Sequence, residues 1–419
     1  MTENTPGQRI WKSFKRNTLA LGGMAFIIIS VLIALLGYLV TPDDTPDSNN
    51  MLLQLSIKKP GSTFTLLRIK KPEQVEQGNI FKKMIFGQPD AYTNVPITGY
   101  HFAGDSIYVD RYIGSEDKPE KFAYNVYEVV SGQKVSFNKD RKMLMPMGLS
   151  HSAPIGNDET LIPGAKIFYT PTSDVWRKSY HDQITQHHII KKIFWLGTDL
   201  YGRDLLSRII LGARISLSVG IVAVIISMLI GVFIGAMAGY YGGKIDAALS
   251  WVMNVLWALP SLLLVIAISF ALGKGLGQIY IAIGISMWVD VARLVRGQVM
   301  SVKQFEFVEA ARALGFKNSR IITRHILPNI IGPILVLASS NFASAILLEA
   351  GLSFLGFGAQ PPTPTWGGMI KEHYGYIIMD DAYLAVLPGL AIMLMVYAFN
   401  LVTIGLRDAF DIKSQNVRI

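Results

Sequence analysis

Residues 215–243, ISLSVGIVAVIISMLIGVFIGAMAGYYGG, contain no charged side chain. A helix needs about 20 apolar residues to cross the hydrocarbon core of a bilayer. Inside lipid, every backbone polar group must find its partner within the segment, which a helix achieves. The stretch is long enough to do this, so it predicts a transmembrane helix.

Five other stretches are also apolar and uncharged. They cover residues 19–40, 247–272, 276–289, 326–348 and 382–406. The chain of 419 residues is 51% hydrophobic and 16% charged, which is unusual for a soluble protein of this length. We predict an all-α polytopic membrane protein with six transmembrane helices. The first stretch is too long for a cleaved signal peptide, so we interpret it as a retained anchor.

Basic residues beside the predicted helices indicate the orientation, because short loops rich in Lys and Arg stay in the cytoplasm. The N-terminal tail up to Arg16 is basic. A second basic cluster follows the fourth helix and consists of Arg293, Arg296, Lys303, Arg312, Lys317, Arg320 and Arg324. Six crossings place both clusters and both termini in the cytoplasm. The net charge of +9 therefore reports orientation and predicts no nucleic-acid partner.

The long segment between the first two helices has a different pattern. Residues 106–113, SIYVDRYI, partly alternate between apolar and polar side chains, and the turn-like pair Ser131-Gly132 joins residues 122–130 to 134–137. This pattern favours strands. We predict three regions: residues 1–41, a cytoplasmic tail with the first transmembrane helix; residues 42–190, a β-rich extracytoplasmic insert; and residues 191–419, a core with five transmembrane helices.

Residues 309–316, EAARALGF, predict a short helix that ends at a glycine. Alanine favours helix and permits close backbone approach, and Gly315 can adopt the left-handed conformation that ends a helix. Asn318 or Ser319 can cap the next helix. Such a hairpin presents a short rigid helix to a partner, although an ordinary amphipathic loop explains the same residues.

The same segment, continued by Leu327-Pro328, resembles the EAA loop of bacterial ABC importer permeases. Two further stretches resemble the dipeptide, oligopeptide and nickel branch of these permeases. One is LGTDLYGRDLLSR at residues 196–208 with GARISL at 212–217, and the other is EAGLSFLGFG at 349–358, with Pro361-Pro362 and Trp366-Gly367. Together they extend over residues 196–419. They are similar to the second of the two permeases that such systems carry.

The resemblance implies the type I ABC importer permease fold in a bacterial inner membrane. It implies a homologous permease subunit, two cytoplasmic ATPase subunits and an extracytoplasmic substrate-binding protein as partners, besides membrane lipid. The chain itself would bind no cofactor, since ATP and Mg would be used by the ATPase subunits. The implied coupling residues are Glu309, Ala310, Ala311, Arg312, Ala313, Leu314 and Gly315. Peptide is the expected substrate, with nickel or another small solute as the alternative.

A second candidate site is the Gly-Thr-Asp turn, which we define as Gly197, Thr198, Asp199, Gly202, Arg203 and Asp204. Its carboxylates could bind a hard cation. We favour a structural interpretation, in which Asp and Gly shape the turn and nearby arginines pair with carboxylates or lipid headgroups. Four histidines, at positions 151, 181, 187 and 188, raise the question of a zinc or nickel site. Their spacing matches no metal pattern, so we predict no metal site.

Catalytic functions find little support in the sequence. No Gly-x-x-x-x-Gly-Lys-Ser/Thr phosphate loop and no His-Glu-x-x-His motif occurs, so we predict no catalytic residues and no ATP hydrolysis by this chain. Two other classes stay open. An ion-coupled secondary transporter would need polar groups in the membrane, for which Asn254, Asn341 and Asn400 are the candidates. An intramembrane enzyme is the other.

Overall fold

The computed structural model describes residues 6–73, 75, 78–114, 119–133, 136–137, 143–145, 167–169, 174–273 and 275–415. The chain forms two compact units. One combines Met1–Thr41 with Ser207–Ile419, and the other is Pro42–Leu206. The second unit extends beyond the predicted boundary at residue 190, because the strand at Ile189–Phe194 pairs with the strand at Ser62–Lys70.

The helices and strands are named here in chain order. The helices are α1 Pro6–Arg16, α2 Thr18–Leu35, α3 Gly37–Val40, α4 Ile80–Phe86, α5 Val126–Ser131, α6 Asp174–Gln183, α7 Leu205–Tyr241, α8 Gly243–Trp257, α9 Ser261–Leu272, α10 Leu276–Val302, α11 Glu306–Ala313, α12 Asn318–Arg320, α13 Ile331–Leu355, α14 Trp366–His373 and α15 Tyr383–Gln415. The strands are β1 Ser62–Lys70, β2 Tyr92–Ala103, β3 Ser106–Arg111, β4 Glu120–Asn125, β5 Ser136–Phe137, β6 Met143–Met145, β7 Ile167–Tyr169 and β8 Ile189–Phe194.

Within the described residues, five helices are long and apolar enough to cross a membrane: α2, α7, α10, α13 and α15. A sixth crossing requires α8 and α9 together, which meet at an angle of 93°. The stretch predicted as the third transmembrane helix, 247–272, is thus divided between two helices. Pro260 explains the break, since it lacks an N–H group and disfavours helical backbone at Leu259. The predicted fourth helix, in contrast, continues well past residue 289 to Val302.

The fifth predicted helix, at 326–348, is shifted in the structure. Helix α13 begins only at Ile331, which places Pro333 in its first turn, where a missing N–H group costs no helical bond. It ends at Leu355 rather than before Glu349. Gly356, with φ of +91°, supplies the left-handed residue that stops it. The first part of the stretch at 349–358 is thus helical, up to Leu355.

Helices α7 and α10 approach each other closely through Gly231, Gly235 and Gly239, which lie four residues apart on one face of α7. A Cβ atom at Gly231 would lie 2.7 Å from the Trp288 carbonyl oxygen, and one at Gly239 would lie 2.7 Å from that of Arg296. Small residues at this spacing allow helix backbones to pack in a membrane. The contact therefore fixes α10 against α7 up to the point where the hairpin begins.

The second unit contains a five-stranded antiparallel sheet in the order β4-β3-β2-β1-β8. Leu67, Ile107 and Val109 lie in its core beside Val126 and Val129 of α5. A separate three-stranded sheet has the order β5-β6-β7.

The predicted strand at 122–130 is only partly correct, because β4 ends at Asn125. The Asn125 side chain accepts a hydrogen bond from the Tyr127 N–H at 2.9 Å, which caps α5. Gly132, with φ of +76°, ends that helix. Local capping therefore makes helix of residues whose composition suggests strand.

Candidate functional site

The predicted hairpin is present at the end of α10. A short turn at residues 303–305 leads from α10 into α11, which carries Glu306 and Glu309 in its first turn. Negative side chains are favourable there because the N-terminal end of a helix carries partial positive charge. The predicted coupling residues Glu309 to Ala313 form the C-terminal part of α11.

Gly315 ends α11, as the sequence predicts. Its φ is +76°. Its N–H donates to the Arg312 carbonyl at 3.0 Å, and the Phe316 N–H donates to the Ala311 carbonyl at 3.2 Å. This pair of bonds defines the Schellman motif, which satisfies carbonyl groups at a helix end. A Cβ atom at Gly315 would meet nothing within 4 Å, so backbone conformation rather than space restricts this position.

Capping of the next helix by Asn318 or Ser319 is not observed. Lys317 is the residue before α12, and it makes no side-chain capping bond. The Asn318 side chain instead accepts a hydrogen bond from the Tyr240 hydroxyl at 2.9 Å. Tyr240 lies at the end of α7, so this bond joins the hairpin to a membrane helix.

One edge of α11 is buried and the rest faces outward. Val308 and Ala311 belong to a core that also includes Val299 and Val302 of α10 and Ile321 of the segment after α12. The other predicted coupling residues, Glu309, Ala310, Arg312, Ala313, Leu314 and Gly315, are exposed. The buried edge of α11 is thus packed directly against α10.

The exposed edge is partly apolar. Leu314 is 72% exposed, Phe305 51% and Phe307 40%. Apolar side chains grouped on a protein surface are typical of an interaction site. Further polar contacts hold the hairpin in place: Lys303 Nζ donates to the Tyr240 carbonyl at 2.5 Å, and the Arg320 guanidinium lies 4.2 Å from the Phe316 ring centre.

The Gly-Thr-Asp turn lies in the second unit and is almost fully buried. Asp199 Oδ1 accepts hydrogen bonds from the N–H groups of Tyr201 and Arg203, both at 2.9 Å. Its Oδ2 lies 2.6 Å from Arg203 Nε. Thr198 and Asp204 form an isolated β-bridge across the turn. The carboxylate of Asp199 is thus committed to the turn and to Arg203.

The two glycines of this turn lie against the segment that precedes β1. Gly197 and Gly202 have φ values of +81° and +71°. A Cβ atom on Gly202 would collide with the carbonyl oxygen of Leu52. The Thr198 hydroxyl donates to the Leu55 carbonyl at 2.5 Å. These contacts are consistent with the structural interpretation of the turn.

The arginines near this turn lie beside acidic or aromatic partners. Arg203 pairs with Asp199 as described, and Arg208 Nη2 lies 3.8 Å from Glu372 Oε2 within the first unit. Both arginines therefore lie beside carboxylates. Arg214 lies over the ring of Tyr38, with 5.8 Å between its Cζ atom and the ring centre.

Two of the described histidines, His181 and His188, have different partners. His181 stacks on Phe102 with 4.1 Å between ring centres. The His188 Nδ1–H donates to the Arg68 carbonyl at 2.6 Å. Burial lowers the pKa of His188 below its ordinary value, and the positive charge of Arg68 lowers it further. His151 lies outside the described residues.

Glu349 is a feature whose role the sequence did not reveal. It is 1% exposed within α13 and accepts hydrogen bonds from Ser216 at 2.8 Å and Ser353 at 2.7 Å. Thr365, just before α14, bonds to it as well. Three hydroxyl donors from three chain segments thus meet at one buried carboxyl group. A signal existed in the sequence, since an ionisable residue among apolar helix residues usually has a partner inside the bundle.

Comparison with known proteins gives matches at both ends of the chain. Residues 231–414 match the family described as "Binding-protein-dependent transport system inner membrane component". Residues 5–55 match the "N-terminal TM domain of oligopeptide transport permease C".

Two curated relatives are similar over about half of the chain. The dipeptide transport system permease protein DppC of Alkalihalophilus pseudofirmus is 46% identical over 222 residues, which are 53% of this chain and 73% of that protein. The glutathione transport system permease protein GsiD of Pectobacterium atrosepticum is 44% identical over 219 residues, or 52% and 72% of the two chains. A solved structure of the methionine ABC transporter MetNI in an inward-facing conformation is 18% identical, with a TM-score of 0.39 over 48% of this chain and 97% of that chain.

Proposed function

Because the chain belongs to the family of binding-protein-dependent transport system inner membrane components, we propose that it forms half of the translocation path of a peptide importer. Members of this family are multi-pass membrane proteins with the type I importer fold, and they are transport permeases rather than enzymes. In our proposal, α11 passes the motion of a separate ATPase to the membrane helices.

The observation that carries this proposal is the division of α11 into two edges. Its buried edge shares a core with α10, while Glu309, Ala310, Ala313 and Leu314 face outward. A helix that can be seated in a groove of an ATPase, and that is packed against α10, can convert closure of the ATPases into rotation of membrane helices. The translocation path would then open alternately to each side.

Peptide as the substrate is supported by the relatives, one a dipeptide permease and the other a glutathione permease. Selectivity would reside in a separate binding protein that delivers the substrate. A homologous permease and two ATPase subunits would complete the assembly, and ATP and Mg would be bound by the ATPases.

Orientation and domain organisation are further parts of the proposal. We count α8 and α9 as one bent crossing, which gives six crossings and places both termini in the cytoplasm. Residues 42–190 would form the core of a β-rich extracytoplasmic module, supported by the five-stranded sheet of the second unit. The two family matches bracket this region, since they cover residues 5–55 and 231–414.

Reconstitution tests the proposed function. The chain in proteoliposomes, with its neighbouring permease, ATPase subunits and binding protein, should take up peptide only when ATP is supplied. The chain without the ATPase subunits should hydrolyse no ATP. Uptake that follows an ion gradient and needs no ATPase subunit would instead identify a secondary transporter.

A further inference from the structure

Helix α4 of the second unit presents large apolar side chains on its surface. Ile80 is 72% exposed, Phe81 76% and Phe86 66%, and no residue of α4 is buried. Side chains of this size, grouped within two helical turns, do not belong on a surface that faces only water. The helix therefore needs an apolar surrounding that the described residues of the second unit do not provide.

The order of residues in α4 gives it two different sides. At 100° per residue, positions 80, 81, 84 and 85 share one side, and all four are apolar. Lys82 and Lys83 lie away from that side, and Phe86 lies between them. An apolar side flanked by lysines is typical of a helix that lies in the plane of a membrane interface. The aliphatic part of a lysine side chain can extend along the apolar region of the bilayer while its ammonium group stays at the level of the lipid phosphates.

Two contacts hold α4 close to where the first membrane helix ends. Lys83 Nζ lies 2.7 Å from Asp44 Oδ2, and the Gln88 N–H donates to the Asp44 carbonyl at 2.8 Å. Asp44 follows Val40, the last residue of α3, by four positions, which an extended chain spans in at most about 14 Å. Chain length alone therefore keeps this contact near the level at which the membrane begins.

The segment that carries Asp44 is also fixed locally. The neighbouring Asp43 is 4% exposed, and its Oδ1 accepts hydrogen bonds from the Thr45 hydroxyl at 2.7 Å and the Thr45 N–H at 3.1 Å. The Ser48 hydroxyl donates to the Asp43 carbonyl at 2.8 Å. These hydrogen bonds fix the conformation of the turn that carries Asp44. The contacts of Lys83 and Gln88 with Asp44 therefore hold α4 beside a well-defined segment.

We propose that α4 is an interfacial anchor that inserts its apolar side into the phospholipid leaflet at which the first membrane helix ends. Lys82 contacts lipid phosphates, while Lys83 keeps its pairing with Asp44. The anchor holds the second unit against the bilayer. This goes beyond the proposed function, because it requires only that the chain is embedded in lipid.

Spin labelling of the full chain tests this proposal, and the absence of Cys from the sequence makes single labels possible. Phe81→Cys and Ile80→Cys place labels on the apolar side of α4. Tyr108→Cys is the control, since Tyr108 is an exposed aromatic residue of β3 in the same unit. In vesicles of phosphatidylethanolamine and phosphatidylglycerol, the ratio of collisions with oxygen to collisions with a water-soluble nickel chelate should be several-fold higher at positions 80 and 81.

Equal ratios at positions 81 and 108 would overturn the proposal. So would a label at position 81 that becomes shielded from both reagents only when the neighbouring permease or the binding protein is present, since a protein surface would then cover α4. Two labelled positions guard against a local effect of one substitution. The measurement needs no ATPase, so its failure leaves the proposed function standing.

Discussion

Arg296 of α10 donates two parallel hydrogen bonds to Asp246 in the first turn of α8. Its Nε lies 2.5 Å from Oδ1 and its Nη2 lies 2.7 Å from Oδ2. This two-pronged geometry is the strong form of an arginine–carboxylate pair. It joins two helices that are separated in sequence by the bent α8–α9 segment. Since α10 leads directly into the hairpin, the pair links the hairpin to a further membrane helix.

Removing either partner of this pair should destabilise the protein. Asp246→Asn and Arg296→Gln should each lower the free energy of unfolding in mixed micelles, and the double variant should lose less than the sum. We expect a coupling energy of about 1 to 2 kcal/mol. Arg407 and Asp411 provide the control, because they are 4.0 Å apart and largely exposed, so their coupling should be close to zero. Equal coupling in both pairs would contradict the prediction.

Gly315→Val should separate membrane insertion from energy coupling. A β-branched residue at φ of +76° costs about 1 to 3 kcal/mol, which is enough to distort the end of α11. We expect normal accumulation in the membrane, and loss of both transport and ATPase stimulation by substrate-loaded binding protein. Gly315→Asn is the matched control, since Asn tolerates the left-handed region. Wild-type transport by the Val variant would make the hairpin an ordinary connection.

Glu309→Lys should weaken the attachment of the ATPase subunits. Glu309 is exposed, so the reversal of charge should leave folding intact and act on the partner surface. Co-purification of the ATPase subunits with the variant should fall about tenfold or more, which corresponds to about 1.4 kcal/mol. Glu306→Lys, in the same helical turn, makes the same change of charge outside the coupling residues. If both variants retained the ATPases equally, Glu309 would have no special role.

Protonation of His188 should loosen the β1–β8 edge of the five-stranded sheet at low pH. Burial lowers the pKa of His188, so the unfolded chain gains a proton at a higher pH than the folded one. The contribution of His188 to the free energy of unfolding is therefore fully present above about pH 6.5. It falls as the pH drops towards the pKa of the folded state, by at most about 1.4 kcal/mol per pH unit.

Hydrogen exchange in the full chain measures this effect at the amides of β1 and β8. Protection, corrected for intrinsic exchange rates, should decrease between about pH 7 and pH 5. His188→Asn keeps a donor for the Arg68 carbonyl but cannot titrate, so its protection should be independent of pH over this range. An identical decrease in the Asn variant would show that another group is responsible.

Single cysteines at Ser131 and Ser319 test the proposed orientation. Ser131 lies at the end of α5 and Ser319 within α12. With six crossings, a membrane-impermeant maleimide added to intact cells should label position 131 and not position 319, and both should react after permeabilisation. Labelling of both from outside would mean that the α8–α9 pair does not cross the membrane or that the orientation is wrong.

The sequence by itself determined the membrane class and the glycine-terminated hairpin. Both are local properties. An uncharged stretch such as 215–243 can satisfy its backbone within the segment as a helix, and the left-handed residue after α11 favours glycine, which has no Cβ atom. The resemblance of residues 309–316 to the EAA loop likewise depends on a single short segment.

Tertiary structure decided the features that depend on residues far apart in the chain. Glu349 suggested the end of a helix, but three hydroxyl groups satisfy it inside the bundle, so α13 continues to Leu355. Asn318 bonds to Tyr240 instead of capping its own helix. Pro260 signals a break, yet only packing sets the 93° between α8 and α9. A polar side chain takes whichever partner the fold brings within reach, and local sequence does not encode that distance.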